Sequence, residues 1–181
     1  MKLLAFGATT SSDSINRQLA NYAADQVPGA TVTDLDLRQF ELPIYSTDEQ
    51  ASNGVPQSAH DFLAAIKTHD GLVVSLAEHN GSYTAAFKNL YDWTSRIEKN
   101  LWSNKPMLLL STSPGGRGGA TVMATAQATF PRMGARLVSS FVLPSFQDNF
   151  TASEGVTEPE LAATFQLAVA AFAESLIPIT G

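Results

Sequence analysis

The sequence predicts a three-layer α/β fold, a five-stranded parallel sheet with helices on both faces. Three observations lead there. Short apolar runs alternate with segments of helical period, and each junction carries turn or cap residues, the pattern of successive βαβ units. The run Pro106 to Leu110 is hydrophobic without a break, as in a sheet centre covered on both sides. The chain has 181 residues, 44% of them hydrophobic, enough for one core without disulfides or a structural metal.

Each element follows from its residues. Lys2 to Phe6 reads as a buried strand. Ser14 can cap a helix with Ile15, Leu19, Tyr22 and Ala23 on its apolar face, ended by Pro28-Gly29. Thr31 to Leu37 alternates as a second strand. A polar connection from Pro43 to Gly54 follows, longer than the usual two to six residues. Pro56 opens a helix with Phe62 and Ile66 inward, closed by Asp70-Gly71, and Leu72 to Ala77 is the third strand. After the turn Glu78 to Ser82, with Ser82 as a candidate cap, a long helix runs to about Leu101. Its apolar positions are Phe87, Leu90, Tyr91, Thr94, Ile97 and Leu101. Ala86, Trp93 and Trp102 widen that stripe to about half the circumference, beyond the usual ~100°, so the helix is expected to pack on two surfaces. Strand Pro106 to Leu110 leads through a glycine-rich loop to a helix carrying Met123, Ala124, Gln127 and Phe130. Leu137 to Leu143 is the fifth strand. Thr157 and Glu160 form a capping box for a last helix that buries Leu161, Phe165, Val169, Phe172 and Leu176.

This is the content of a flavodoxin-like, doubly wound sheet of order 2-1-3-4-5, read as a single domain over residues 1–181. Such sheets bind ligands at the carboxyl ends of their strands, beside the switch point at strand 1. The loops after strands 1, 3 and 4 are therefore the ones to examine. Composition narrows the chemistry. Eleven basic against 17 acidic residues give a net charge of −6, and no basic run exists to neutralise phosphates, which argues against nucleic acid. The absence of cysteine excludes thiol nucleophiles, thiolate metal sites and disulfides. Any redox chemistry must come from a bound cofactor. The short apolar start breaks at Gly7, and no stretch reaches the roughly 18 apolar residues of a membrane span, so a cytoplasmic protein is expected.

The first loop holds Thr9, Ser11, Ser12 and Ser14, with Asn16 just inside the helix. These hydroxyls, with backbone N–H groups and the positive end of the helix dipole, suit a phosphate; equally, they serve simply to cap the helix. Neither G-x-G-x-x-G nor G-x-x-x-x-G-K-[ST] is present. The loop after strand 4 concentrates Gly115, Gly116, Gly118 and Gly119, four of the twelve glycines, where a ligand can approach backbone closely or a crossover needs flexibility. Arg117 is the one cation of these loops, either solvated or facing an anionic substrate. The loop after strand 3 offers Glu78, His79, Asn80 and Gly81. With no G-x-S-x-G elbow and no ligand spacing among His60, His69 and His79, neither a nucleophile triad nor a metal site is expected.

With these residues placed, the chain resembles the NAD(P)H-dependent FMN reductase family, flavodoxin-like relatives of quinone and azo reductases. The resemblance rests on the loop ending Ser14-Ile15-Asn16, on Glu78 to Ser82 with Ala86-Phe87-Lys88-Asn89 and Asp92-Trp93 behind it, and on Ser113 with the glycine cluster. It covers roughly Met1 to Pro144, and the middle segment is the most specific. It implies FMN as cofactor, with Thr9, Ser11, Ser14, Ile15 and Asn16 at its phosphate. Pro43, Ile44 and Tyr45 resemble the P-x-Y/F segment beside the flavin. Glu78, His79, Asn80 and Gly81 would line the ring edge through backbone groups, and Ser113, Gly115 and Gly116 would close the other side. The implied activity is ping-pong transfer of two electrons from NAD(P)H to FMN, a quinone or a similar small acceptor, with no side chain as general acid or base. Arg117 is the expected contact to the dinucleotide. Where the family often has an Arg in the first loop, this chain has Thr10 or Ser11, a loss of about 1 to 3 kcal/mol in phosphate binding. A flavodoxin-type carrier that shuttles single electrons is the alternative. The resemblance and the wide stripe on the long helix point to a homodimer with Trp93 near the contact, or to a homotetramer.

Overall fold

A computed structural model describes residues 1–177, so the last four of the expected 1–181 domain lie outside the described residues. The elements in order are β1 (Lys2–Gly7), α1 (Ile15–Asp25), β2 (Thr31–Asp34), α2 (Thr47–Asn53), α3 (Gln57–Lys67), β3 (Gly71–Leu76), the short pair β4 (Glu78–His79) and β5 (Ser82–Tyr83), and α4 (Ala85–Ile97). There follow β6 (Pro106–Thr112), α5 (Ala120–Thr129), β7 (Arg136–Leu143), α6 (Phe146–Asn149), the pair β8 (Phe150–Thr151) and β9 (Gly155–Val156), and α7 (Pro159–Ser175). The main sheet runs β2-β1-β3-β6-β7, every pairing parallel, which is the expected order 2-1-3-4-5 when the two small hairpins are set aside.

Side-chain alternation along the central strands builds two cores. Leu4, Phe6, Leu72, Val74, Met107 and Leu109 face Phe62, Phe87 and Val122 from α3, α4 and α5. Leu3, Ala5, Val73, Leu108 and Leu110 face Leu19 of α1 and Phe165, Val169 and Phe172 of α7. Burying each such side chain contributes roughly 1.5 to 3 kcal/mol before entropy is counted. Strands covered on both faces therefore have to be apolar throughout, as β6 is.

Several boundaries differ from the sequence expectation. Strand β2 stops at Asp34, not Leu37, because the Asp36 carboxylate accepts from the Arg38 N–H and caps a 3-10 turn at Leu37–Gln39. The connection from Pro43 to Gly54 contains α2, started by the Ser46 hydroxyl accepting from Glu49 N–H; the helix buries no residue, so it leaves no apolar period to read. Thr84, not Ser82, caps α4, and α4 ends at Ile97, with Leu101 and Trp102 buried in the turn beyond. In α5 the inward residues are Val122, Met123 and Ala126, while Ala124 and Gln127 face solvent. The Glu158 carboxylate, bonded by Glu160 N–H and Leu161 N–H, replaces the expected Thr157 capping box on α7. Among the described residues, no helix is long and apolar enough to cross a membrane.

Candidate functional site

The site forms where the loops after β1, β3 and β6 meet at the carboxyl end of the sheet. Gly7 lets α1 press against the end of β1: a Cβ there would sit 2.5 Å from the Arg17 nitrogen. Ser14 caps α1 by accepting from Arg17 N–H at 3.1 Å. That leaves the Ser14 hydroxyl proton free to donate, and the Ile15 and Asn16 N–H groups belong to the first turn, where a helix has no internal acceptor for them. The Asn16 side chain is spent on structure. Its Oδ1 accepts from Ser75 Oγ (2.7 Å) and Thr112 N–H (3.1 Å), and its Nδ2 donates to Thr112 O (3.1 Å), so it ties α1 to β3 and β6. Asn16 thus reaches the site by backbone, not by its amide.

After β3, Asn80 and Gly81 occupy positive φ (51° and 77°) in a two-residue hairpin turn. The Glu78 carboxylate accepts from Val122 N–H at 2.9 Å in the first turn of α5. In the loop after β6 the backbone demand falls on Gly118 and Gly119, both at positive φ; a Cβ on Gly118 would meet Leu143 O at 2.8 Å. Around Gly116 nothing lies within 4 Å of a Cβ, and Gly115 meets only Ser113 Oγ at 3.9 Å, so these two leave open approach to the backbone.

These loops enclose a polar cavity of about 150 Å³. Of the expected residues, Thr9, Ser11, Ser14, Ile15, Asn16, Glu78, His79 and Ser113 line it together. Asp13, Ala77, Thr112 and Pro114 line it as well and were not anticipated, although Thr112 adjoins Ser113 in sequence. Among the described residues, no Lys or Arg lines it. Asn80, Gly81, Gly115 and Gly116 stand outside this lining, at the hairpin tip and the outer loop. Arg117 is exposed and is not in the lining of this cavity; its guanidinium donates to the Thr121 hydroxyl, one turn along the chain.

A second, larger groove of about 630 Å³ begins at Thr10, next to Thr9 of the polar cavity. Its walls include Leu37, Phe40, Leu42, Ile44, Ala85 and Ala86, with Arg38 and Glu41 also lining it. Of the expected site residues only Ile44 lines it; the signal for the others is the apolar Phe40 and Leu42 just ahead of the polar connection. Ile44 is 79% exposed because its neighbours are held elsewhere. Asn89 Oδ1 accepts from Tyr45 N–H (2.9 Å), Asn89 Nδ2 donates to Pro43 O (2.9 Å), and Trp93 Nε1 donates to the same carbonyl (2.8 Å). The Tyr45 ring meets Trp93 edge-on at 5.0 Å. The second surface of the wide α4 stripe is therefore this segment, and Trp93 is fully buried by its own chain instead of standing at a free face.

Beside the groove, Arg17, Asp34, Asp36 and Arg38 form a paired cluster. Arg17 binds Asp34 and Asp36, and Arg38 binds Asp36. Bonding from the Arg38 guanidinium holds the Asp36 carboxyl far below the ordinary carboxylate range. Of the histidines, His79 is exposed on β4, and His69 bonds Ala65 O and Thr33 Oγ1 at the end of α3. Among the described residues, no group of three or more His, Cys, Asp or Glu is placed to hold a metal.

Residues 1–148 match the family described as NADPH-dependent FMN reductase. The chain is 30% identical over 129 residues to the NADPH azoreductase of Bacillus sp. (strain OY1-2), covering 71% of this chain and 68% of that one. It is 34% identical over 80 residues to the quinone reductase of Escherichia coli (strain K12), covering 44% and 43%. It spans about half the length of most of the curated relatives it matches. Among solved structures, the flavoenzyme NAD(P)H:(acceptor) oxidoreductase FerB from Paracoccus denitrificans superposes with a TM-score of 0.75 at 25% identity, covering 97% of this chain and 96% of that one. A mutant flavodoxin from Pseudomonas aeruginosa, at TM-score 0.55 and 20% identity, shares the fold.

Proposed function

The chain belongs to the NADPH-dependent FMN reductase family, and from that premise we propose that it is an NAD(P)H-dependent flavoprotein oxidoreductase that works by a ping-pong mechanism. The observation that carries the reading is the cavity at the start of α1, where hydroxyls and free helix N–H groups gather beside the carboxylates of Asp13 and Glu78, next to a largely apolar groove. A phosphate fits the first and a flat ring fits between the two. Hydroxyls of Thr9, Ser11 and Ser14 with the N–H groups of Ile15 and Asn16 would hold the FMN phosphate without a cation, aided by the α1 dipole.

When bound, FMN supplies the electron chemistry, accepting two electrons from NAD(P)H and passing them to a small acceptor such as a quinone, an azo compound or free FMN. The protein orients and excludes water. Backbone around His79, Asn80 and Gly81 on one side, and Ser113, Gly115 and Gly116 on the other, would border the ring and meet negative charge that develops there with N–H donors. Pro43, Ile44 and Tyr45 would border it from the groove, with Ile44 as the contact and its two neighbours as supports. No side chain needs to act as general acid or base. Arg117 remains the candidate contact to the dinucleotide phosphate, since its exposed side chain would have to swing from Thr121. The carrier alternative is less well supported. Tyr45 and Tyr83, the aromatics near enough to sandwich a ring, pack on Trp93 and Phe130 instead.

The proposal includes a homodimer or homotetramer, and a place in the cytoplasm with the NAD(P)H pool. The deciding experiment is to purify the protein without flavin, add FMN and record the flavin absorbance, then mix the loaded protein rapidly with NADPH and NADH. A perturbed flavin band that bleaches with either nicotinamide supports the reading; an unperturbed band at high FMN rejects it.

A further inference from the structure

The structure assigns to Glu78 a role its position in the sequence does not suggest: it is a positioning residue that locks the hairpin β4–β5 to the first turn of α5, so that two cofactor loops form one wall. The inference rests on the FMN reading and adds a named device to it.

Helix α5 starts without a local cap. Gly119, its N-cap residue, sits at φ 82° and has no side chain to offer. Glu78, from 44 positions earlier in the chain than Val122, supplies the missing acceptor by taking the Val122 N–H at 2.9 Å. A carboxylate at that end of a helix also meets the positive pole of the dipole. Its charge is thereby balanced although it lines the cavity meant for an anion.

The hairpin needs such an anchor. It has two residues in each strand and forms its own separate sheet, and hairpins of that size are not stable alone. It pairs with no strand of the main sheet and is held by its side chains. Glu78 bonds α5 at Val122, and Tyr83 shares a hydrogen bond with Thr129 at the far end of α5 (3.2 Å) while its ring packs on Phe87 of α4. Since α5 begins where the loop Ser113 to Gly119 ends, the hairpin and that loop move as one body. The distance between His79-Asn80-Gly81 and Gly115-Gly116 is then set by the helix. Without the Glu78 bond only the Tyr83 end would hold.

Two variants separate reach from charge. Glu78→Gln keeps an acceptor of the same length without charge; Glu78→Asp keeps the charge but falls one methylene short of Val122. In the flavin-free protein, amide hydrogen exchange at Val122 is expected to speed up by roughly tenfold in Glu78→Asp and to stay within about threefold of the native rate in Glu78→Gln. The Ala126 amide, deep in the helix, should not change in either. Dissociation constants for FMN and for riboflavin, which lacks the phosphate, should both rise about tenfold in Glu78→Asp; in Glu78→Gln riboflavin should hold within about twofold and FMN should bind no more weakly than to the native protein, because a carboxylate has left the cavity. An equal loss for both ligands places the defect at the ring, not at the phosphate. An unchanged Val122 exchange rate in Glu78→Asp overturns the lock. So does a Glu78→Gln protein that binds as weakly as Glu78→Asp, or flavin affinity that is native in both. If the native protein binds no FMN, the cofactor reading fails, and the Val122 measurement still decides whether the lock exists.

Discussion

Single residues at this site divide into those that hold the architecture and those that face the ligand, and residue type alone does not tell them apart. Asn16 looks like a phosphate donor in sequence, yet its three side-chain hydrogen bonds join α1, β3 and β6. Asn16→Ala should cost about 3 kcal/mol, since it strands the Thr112 backbone and the Ser75 hydroxyl, and should lower the melting temperature of the flavin-free protein by roughly 6 to 12 °C. Ser11 is exposed and bonded only to Thr9. Ser11→Ala should leave that temperature within about 2 °C while weakening FMN, so calorimetry and flavin titration together separate the two roles. Thr10 tests the missing charge. It stands at the junction of cavity and groove, and Thr10→Arg should tighten FMN by roughly ten- to a hundredfold, if the phosphate lies where the hydroxyls are. Riboflavin affinity should not follow; equal gains for both ligands would place the phosphate elsewhere.

Elements with a strong apolar period were legible in the sequence, and those held by polar contacts were not. Strands β3 and β6 and helices α1 and α3 declare themselves through buried runs or one-sided stripes. Helix α2 buries nothing and so leaves no apolar period, and the sequence overstates the length of α4 because Leu101 and Trp102 continue the apolar pattern after Glu98 has left helical geometry. The place of the first loop in the cavity could be read from its hydroxyls. The reach of Glu78 and the clamp on Pro43-Ile44-Tyr45 depend on partners distant in sequence, and no local pattern encodes them. In the clamp, Asn89→Ala should release the Tyr45 N–H and leave only Trp93 on the Pro43 carbonyl. Proteolysis between Leu42 and Gly54 should then speed up several-fold, with global stability falling by about 1 to 2 kcal/mol. Helix α4 also carries Tyr91, whose burial, reinforced by Tyr83, pushes its hydroxyl up to about 12. A tyrosine in the unfolded chain ionises near 10. The native state therefore keeps a proton that the unfolded state gives up: Tyr91 contributes stability below pH 10, and that contribution fades as pH climbs toward 12. Urea unfolding between pH 8 and 11 should show a declining midpoint, and Tyr91→Phe should flatten the decline.

At the scale of the whole molecule the question is what covers Ile44. The broad stripe on α4 suggests a partner surface around Trp93, but the chain covers that stripe with its own Pro43–Tyr45 segment, so a contact between copies there would be made by the covering segment and not by the Trp93 ring. The large side chains left exposed include Ile44 at the groove and Leu167 on α7, on opposite faces of the sheet. An isoleucine left in water forgoes roughly 1.5 to 3 kcal/mol. Ile44 is fixed there by three hydrogen bonds to its flanking residues, which is costly unless a ring or a second subunit lies against it. The proposed homodimer, if joined near the groove, would meet that need and would shield a bound ring from water. Light scattering at micromolar concentration should then give twice the 19.3 kDa of one chain. Ile44→Glu should shift the protein toward monomer, because it puts a charge into an apolar contact, whereas Leu167→Glu and Trp93→Phe should leave the mass unchanged. A monomeric native protein removes the dimer. A dimer broken by Leu167→Glu and indifferent to Ile44→Glu moves the contact to α7 and leaves Ile44 to the ligand alone.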